Sequence, residues 1–259
     1  MSETRAATVL VERDGPVVTV VIDRPASRNA IDEQTALALR EAFVAFDADD
    51  GASVAVLTGN GPHFCAGADL KQVATGMHYE PEGDGALGPT RMLLGKPVIA
   101  AVEGHAVAGG LELAIWCDLR VAGADAVFGV YCRRWGVPLV DGGTVRLPRL
   151  VGQGRALDMI LTGRPVSAEE ALSFGLIDRL VAPGAAREAA ERLAHELARF
   201  PQRCLRADRL SVHRQWDTNL AEALKAEGRG GAPVIREEAS AGAARFAAGR
   251  GRGGSFDSL

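Results

Sequence analysis

Hydrophobic residues form short runs along the first two thirds of the chain, and polar turn residues separate these runs. Residues 8–12 and 17–22 are β-branched runs on either side of an Asp-Gly-Pro turn, which predicts a β-hairpin. Further apolar runs of strand length occupy residues 54–57, 98–102, 119–122, 126–130 and 176–181. The first two thirds are therefore expected to contribute the strands of a sheet.

Helical signals lie between and after these runs. Asp32 is expected to cap a helix that extends to about residue 48, and Ser167 with Glu170 forms a capping box. From residue 185 onward the chain is helical in character, with interruptions predicted at Pro201 and Pro233. Strands that alternate with helices, followed by helices alone, predict an α/β core with a helical extension.

Two segments lack this periodicity. Residues 74–90 are rich in glycine and proline, so we expect a flap that is mobile or partly disordered without ligand. The glycine-rich tail at 249–259 is expected to be frayed.

The stretch from residue 96 to residue 118 carries the strongest chemical signal. Residues 98–102 predict a buried strand, and 111–116 predict the first turns of a buried helix behind Gly109 and Gly110. The first N–H groups of a helix have no acceptor within the helix. Glu112 lies in this first turn, where a carboxylate is costly unless it is stabilised or acts as a base. The stretch therefore predicts a site that holds an oxyanion and moves a proton.

Composition limits the class of protein. A chain of 259 residues, 47% hydrophobic and 24% charged, fits one large domain or a domain with an appendage. The net charge of -4 gives no reason to expect nucleic acid or an anionic membrane as partner. The four cysteines show no metal-ligand spacing, and no apolar run is long enough to span a membrane. We therefore expect a soluble cytoplasmic protein with reduced thiols and no metal site.

Several motifs, in order along the chain, resemble the crotonase, or enoyl-CoA hydratase/isomerase, superfamily. The most specific are Phe-Cys-Ala-Gly-Ala-Asp-Leu at 64–70, Lys-Pro-Val-Ile-Ala-Ala-Val at 96–102, Ala-Gly-Gly-Leu-Glu-Leu-Ala at 108–114 and Leu-Thr-Gly-Arg at 161–164. The resemblance implies an α/β fold in which repeated ββα units form a spiral over residues 1–199. It implies a helical trimerisation region at 200–259, and a homotrimer or a hexamer built as a dimer of trimers. It also implies an acyl-CoA thioester substrate and no metal or redox cofactor.

The resemblance also assigns roles to individual residues. The backbone N–H groups of Ala68 and Gly109 are expected to form an oxyanion hole for the thioester oxygen. Arginine suits the phosphate groups of coenzyme A. The residues expected to contact coenzyme A are Arg24, Ser27, Arg28, Ala30, Ala66, Gly67, Asp69, Leu70 and Gly110.

The catalytic acids depart from the family pattern. Hydratases of this family use two glutamates, and the first matches Glu112, whereas the second falls at Cys132. A thiol with a pKa near 8.5 is a poor substitute for a carboxylic acid in proton transfer. The nearest other carboxylate is Asp141, which is either a proton partner of Glu112 or the N-cap of the helix that follows.

The resulting prediction is a hydro-lyase that adds water reversibly to a 2-enoyl-CoA. Two alternatives stay open at this point. One is double-bond isomerisation, or other enolate chemistry, by Glu112 and Asp141. The other is a protein that binds acyl-CoA but catalyses weakly, because the second glutamate is missing.

Overall fold

The computed structural model describes residues 7–76, 79–251 and 253. The chain begins with the predicted hairpin, in which β1 (Val9–Asp14) pairs antiparallel with β2 (Val17–Ile22). Strand β1 is mostly exposed at the sheet edge, whereas all six residues of β2 are buried. The predicted fraying of the C-terminal tail concerns mainly residues 252 and 254–259, which lie outside the described residues.

The remaining strands divide between two sheets. They are β3 (Val54–Gly59), β4 (Val98–Val102), β5 (His105–Val107), β6 (Leu119–Gly123), β7 (Val127–Gly129), β8 (Val166–Ser167) and β9 (Arg179–Val181). The larger sheet has the order β1-β2-β3-β4-β6-β9 and is parallel except for the hairpin. The smaller sheet has the order β5-β7-β8. Consecutive strands β4 and β5, and then β6 and β7, thus contribute one strand to each sheet.

Helices follow these strand pairs and cover both faces of the larger sheet. They are α1 (Glu33–Ala48), α2 (Leu70–Thr75), α3 (Gly109–Trp116), α4 (Gly143–Val151), α5 (Gln153–Thr162), α6 (Ala168–Phe174), α7 (Ala186–Ala198), α8 (Gln202–Arg214), α9 (Leu220–Val234) and α10 (Ser240–Ala247). The predicted N-caps are confirmed, because Asp32 accepts the Thr35 N–H at 2.9 Å and Ser167 accepts the Glu170 N–H at 3.2 Å. The capping box is only half formed, because the Glu170 carboxylate pairs with Arg164. The units β4-β5-α3 and β6-β7-α4 are the ββα repeats that the sequence resemblance implies.

The larger sheet is buried because its two faces pack against different helices. Along β3, Ala55 and Leu57 join the cluster of α1 and α3, whereas Val54 and Val56 face α7. A parallel strand that is covered on both faces needs a continuous apolar run, and β4 (Val98–Val102) is buried at every residue. The chain segments that leave this buried core carry the candidate site residues.

The C-terminal helices contrast with this core. None of the residues of α8, α9 and α10 is buried. The interruption predicted at Pro233 is wrong, because the helix does not end there. Helix α9 includes this proline and continues through a π-helical turn, Ile235–Ala239, into α10. Proline lacks an N–H group, and a wider turn accommodates that loss without ending the helix.

Two further sequence-based expectations need correction. The strand expected at 176–181 is confined to β9, because the Leu176 N–H closes the end of α6 on the Ala171 carbonyl at 2.8 Å. In the expected flap at 74–90, Leu87 and Thr90 are buried, so that end of the segment packs against the core. Residues 77 and 78 of the flap lie outside the described residues.

Candidate active site

The glycine turn between β5 and α3 places backbone donors at the edge of a cavity. Every residue of α3 is buried, and the helix starts at Gly109 directly after Ala108, whose φ is +54°. A positive φ at alanine costs about 1–3 kcal/mol and is typical of functional turns. Only glycine fits at position 110, because a Cβ atom there would lie 2.0 Å from the Cys65 carbonyl oxygen. The Gly109 N–H donates to no acceptor among the described residues.

A second segment, Cys65 to Asp69, runs beside this turn. The Cys65 N–H donates to the His105 carbonyl at 2.9 Å, which attaches the segment to β5. Ile31 accepts the Asp69 N–H at 2.8 Å and donates to the Gly67 carbonyl at 2.8 Å. These bonds leave the intervening Ala68 N–H without an acceptor in the described part of the chain.

Gly67 brings the two segments together. An added Cβ atom at Gly67 would lie 2.7 Å from the Gly109 nitrogen, and the φ of Gly67 is +92°. Ala68 and Gly109 both line one cavity of about 700 Å³. The two N–H groups that the resemblance implied for an oxyanion hole are thus brought to the same cavity.

Glu112 lies in the first turn of α3 and lines the same cavity. Its side chain is 2% exposed, and its Oε1 atom accepts the N–H groups of Asp141 at 2.9 Å and Gly143 at 2.8 Å. Burial, and then the charge of Asp141, raise the pKa of Glu112 to about 7, against the two backbone donors and Arg146. Near neutral pH this carboxyl group is therefore divided between its acidic and basic forms.

Asp141 is not the N-cap that the sequence offered as one alternative. The N-cap of α4 is Gly142, and no side chain caps this helix. Instead, Asp141 Oδ1 accepts the Leu87 N–H at 3.0 Å and the Thr90 hydroxyl group. Its Oδ2 atom has no hydrogen-bond partner among the described residues, and the side chain lines the cavity. Asp141 therefore joins Glu112 in the cavity.

Cys132 occupies the position where the family's second glutamate is expected. It lies in a 3₁₀ helix, Tyr131–Trp135, and is 6% exposed at the cavity wall. Burial, together with the negative charge of Glu112, raises the pKa of the Cys132 thiol. The Cys132 thiol is therefore a weaker acid than a free cysteine and a poor replacement for the missing carboxylic acid.

The loop expected to contact coenzyme A is organised by one arginine. The Arg24 guanidinium group pairs with Asp32 at 3.1 Å and Asp69 at 3.0 Å, and it also donates to the Ala30 carbonyl. The Ser27 hydroxyl donates to the Arg24 carbonyl at 3.1 Å. Arg24 therefore holds this loop together through its ion pairs and hydrogen bond.

Arg28 lies beside the second segment and lines the cavity. Arg28 has a φ of +54°, and its carbonyl accepts the Ala66 N–H at 3.0 Å. Asp69 caps α2 by accepting the Lys71 N–H at 3.1 Å. Ala66 and Leu70 also line the cavity.

One organising residue of the site was not among the sequence predictions. Arg91 Nη2 donates to the Tyr79 hydroxyl oxygen at 2.8 Å and to the Val140 carbonyl at 2.8 Å. Most of its acceptors are backbone carbonyl groups, which every residue has, so the sequence contains no signal for these bonds.

The described residues contain no cluster of three or more histidine, cysteine, aspartate or glutamate side chains arranged to hold a metal ion. In the same part of the chain, no helix has both the length and the apolar character needed to cross a bilayer.

Comparison with known proteins identifies the class. The model of the enoyl-CoA hydratase/isomerase family matches residues 12–250. The chain belongs to the enoyl-CoA hydratase/isomerase family, as the sequence motifs predicted. Among its curated relatives, enoyl-CoA hydratase EchA19 of Mycobacterium tuberculosis is 39% identical over 196 residues, which are 73% of this chain and 74% of the relative. A carnitinyl-CoA dehydratase of Salmonella arizonae is 40% identical over 203 residues, covering 76% of this chain and 75% of the relative.

Solved structures confirm the predicted fold class. The crystal structure of enoyl-CoA hydratase EchA1 from Mycobacterium marinum matches with a TM-score of 0.88 and 37% identity, covering 93% of this chain and 95% of that chain. An enoyl-CoA hydratase from Mycobacterium tuberculosis matches with a TM-score of 0.88 and 36% identity over the same shares. The α/β spiral with a C-terminal helical region is therefore the crotonase fold.

Proposed function

We propose that this protein is an enoyl-CoA hydratase, a hydro-lyase that adds water reversibly across the α,β double bond of a 2-enoyl-CoA thioester. One observation carries the proposal. Ala68 and Gly109, whose backbone N–H groups have no acceptor in the described part of the chain, line the same cavity as a buried glutamate whose pKa is raised to about 7. This set provides a place for a developing enolate oxygen and a group that moves protons beside it.

The oxyanion hole acts when water attacks the β-carbon. The electron pair of the double bond then moves toward the thioester carbonyl, and negative charge develops on the carbonyl oxygen. Ala68 and Gly109 donate hydrogen bonds to that oxygen. Because their positions are fixed by backbone contacts, the donors need no rearrangement as charge develops, and each is worth roughly 3–4 kcal/mol.

Two carboxyl groups complete the proton transfers. Ionised Glu112 takes a proton from the attacking water, while the hydroxyl oxygen bonds to the β-carbon. Below about pH 7 the two carboxyl groups share one proton, and in the reactive form Asp141 carries it and donates it to the α-carbon through its Oδ2 atom. A proton returns from Glu112 to Asp141 before the next cycle, so the water has supplied one hydrogen and one hydroxyl group. Dehydration runs the same steps in reverse.

Coenzyme A is proposed to bind along the loop that leads to the cavity. Arg28 lines the cavity and has no carboxylate partner among the described residues, so we assign phosphate binding to its guanidinium group. Arg24 supports this loop through its ion pairs. The other residues proposed to contact or shape the coenzyme A site are Ser27, Ala30, Ala66, Gly67, Asp69, Leu70 and Gly110.

We also propose a spiral core at 1–199 and a helical assembly region at 200–259 that forms a homotrimer or a dimer of trimers. Large apolar side chains exposed on α8 to α10 support this proposal, among them Val212, Leu220, Leu224 and Phe246. Light scattering after size exclusion tests it, and a monomer at micromolar concentration would contradict it. The four free cysteines fit a reducing compartment, the cytoplasm.

The catalytic proposal is tested with a panel of 2-enoyl- and 3-enoyl-CoAs in heavy water, followed by mass spectrometry. Hydration gives a product that has gained one water. Deuterium gained without added oxygen indicates isomerisation or enolate exchange and contradicts the proposal. Binding by calorimetry without turnover of any member indicates an acyl-CoA-binding protein and also contradicts it.

A further inference from the structure

One wall of the cavity is folded around the Arg91 side chain. Arg91 Nη1 donates to three carbonyl groups within residues 80–83. Its Nη2 atom donates to the Tyr79 hydroxyl oxygen and to the Val140 carbonyl, both at 2.8 Å. One guanidinium group thus closes the turn at 80–83 and attaches it to the residue before Asp141.

The other end of this wall is attached by Asp141. Its Oδ1 atom accepts the Leu87 N–H and the Thr90 hydroxyl. Gly85 has a φ of +118°, and a Cβ atom there would lie 2.0 Å from the Thr90 hydroxyl oxygen, so only glycine fits. The segment 79–91 is therefore held against residues 140 and 141 at two places.

This arrangement fixes the role of the Tyr79 hydroxyl group. Arginine has only donors, so the phenolic oxygen is the acceptor in its bond with Arg91. The phenolic hydrogen remains available, and it has no acceptor among the described residues. Tyr79 lines the cavity together with Glu112 and Asp141. Because the Tyr79 oxygen and the Val140 carbonyl share one donor atom, the hydroxyl lies beside the loop that carries Asp141.

The proposed hydration uses Ala68, Gly109, Glu112 and Asp141, and it leaves this donor unused. An alkyl chain packed against the donor would remove water from it and give no hydrogen bond in return. We infer that Tyr79 is a specificity-determining residue, whose hydroxyl donates to an oxygen atom on the acyl group beyond the α,β double bond. Arg91 is its positioning residue. The inference rests on the proposed hydratase function and names its substrate class, oxygenated 2-enoyl-CoAs.

The test uses pairs of 2-enoyl-CoAs of matched length over a range of chain lengths, one ending in a methyl group and the other in a hydroxyl group. At the length that reaches Tyr79, kcat/KM should favour the hydroxyl member by about 10-fold, because a site built around a hydrogen bond rejects the analogue that lacks it. In Tyr79→Phe the ratio should fall to about one. Arg91→Lys should reduce the ratio as well, because the tyrosine oxygen loses the fixed donor that orients it.

Tyr131→Phe is the matched control. It removes the only other tyrosine hydroxyl in the chain, and Tyr131 also lines the cavity, but Arg91 does not hold it. The preference for the hydroxyl member should survive in this variant. Equal or higher kcat/KM for the methyl member at every length, or an unchanged ratio in Tyr79→Phe, would overturn the inference.

Calorimetry of the corresponding saturated acyl-CoAs separates this inference from the proposed function. Tighter binding of the hydroxyl member, lost in Tyr79→Phe, would support the role of Tyr79 even if no enoyl-CoA were hydrated. Hydration of methyl and hydroxyl members at equal rates, with equal dissociation constants for their saturated analogues, would leave the hydratase proposal standing and refute the inference.

Discussion

The two walls of the cavity are built in different ways. The wall formed by residues 65–69 and 107–112, the backbone wall, is held by main-chain hydrogen bonds and by close contact at Gly67 and Gly110. The wall formed by residues 79–91 and 131–141, the side-chain wall, is held by Arg91 and Asp141. In the proposed reaction, the first wall supplies the donors for the enolate and Glu112, and the second supplies Asp141 and Tyr79.

Because the two walls are held in different ways, we expect them to respond differently to substitution. Donors that belong to the backbone stay in place when surface side chains change. The side-chain wall depends on a few hydrogen bonds, each of which one substitution removes. We expect substitutions in the backbone wall to impair turnover of every substrate, and substitutions in the side-chain wall other than at Asp141 to alter the choice of substrate.

The largest effect is expected for Glu112→Gln. The amide oxygen still accepts the N–H groups of Asp141 and Gly143, so the local geometry is retained while proton transfer is lost. Turnover should fall by about 10²–10⁴-fold, with little change in the dissociation constant of a saturated acyl-CoA. Steady-state kinetics and calorimetry check this, and full turnover in the variant would exclude Glu112 as the base.

Gly67→Ala breaks the backbone wall directly. The added methyl group meets the Gly109 nitrogen at 2.7 Å and forces the two donors apart. We expect kcat to fall by about 10²–10³-fold for all substrates, the loss typical of one oxyanion donor.

Gly184→Ala is the control for backbone strain at this position. Gly184 also has a positive φ, +80°, but no atom lies within 4 Å of its added Cβ. It should reduce stability without affecting kcat in the folded protein. Equal kcat values for the two variants would show that the contact between the segments does not place the donors.

Asp141→Asn tests the electrostatic interaction between Glu112 on the backbone wall and Asp141 on the side-chain wall. The asparagine oxygen still accepts the bonds from Leu87 and Thr90, but the negative charge beside Glu112 is removed. Because that charge raises the pKa of Glu112, the pKa of Glu112, followed through its carboxyl stretch in an infrared titration, should fall below the wild-type value near 7. Loss of the proton partner should also lower kcat, by roughly 10²-fold. A Glu112 pKa in the variant equal to the wild-type value would contradict this coupling.

The smallest effect is expected in stability, measured as the free energy of unfolding against pH. The pKa of Glu112 is about 7 in the folded protein, against 4.5 as its ordinary value. Its protonated form therefore favours folding below pH 4.5, and this contribution is lost as the pH rises through 7. Over this pH range the free energy of unfolding of Glu112→Gln should rise relative to that of wild type by up to roughly 3 kcal/mol. If the free energies of unfolding of the two proteins change equally with pH, Glu112 is ionised in the folded protein without loss of stability.

The part of the backbone wall from β4 to α3 could be predicted from local patterns, whereas the approach of residues 65–69, about forty positions away, was implied only by the family resemblance. The apolar run of β4, the glycine pair and Glu112 are contiguous, and short-range sterics determine how they fold. Even the cap at Asp32 follows from residues three positions apart. In each case the interacting groups are close in sequence.

The side-chain wall was predicted poorly for the opposite reason. Asp141 bonds to Leu87 and Thr90, about fifty residues earlier in the chain, so its sequence neighbours could not distinguish a helix cap from a proton partner of Glu112. Glycine and proline content suggested a mobile flap, whereas Arg91 and the burial of Leu87 hold much of it. Contacts between distant side chains and backbone carbonyls leave no periodic trace in a sequence.

The central claim is that Ala68 and Gly109 polarise the thioester carbonyl beside Glu112. Isotope-edited infrared difference spectroscopy tests it most directly, with a 2-enoyl-CoA labelled with carbon-13 at the thioester carbonyl and bound to Glu112→Gln so that turnover is slow. The account predicts a carbonyl stretch at lower frequency than in water, and a smaller shift when Gly67→Ala is added. A bound frequency equal to that in water would contradict it.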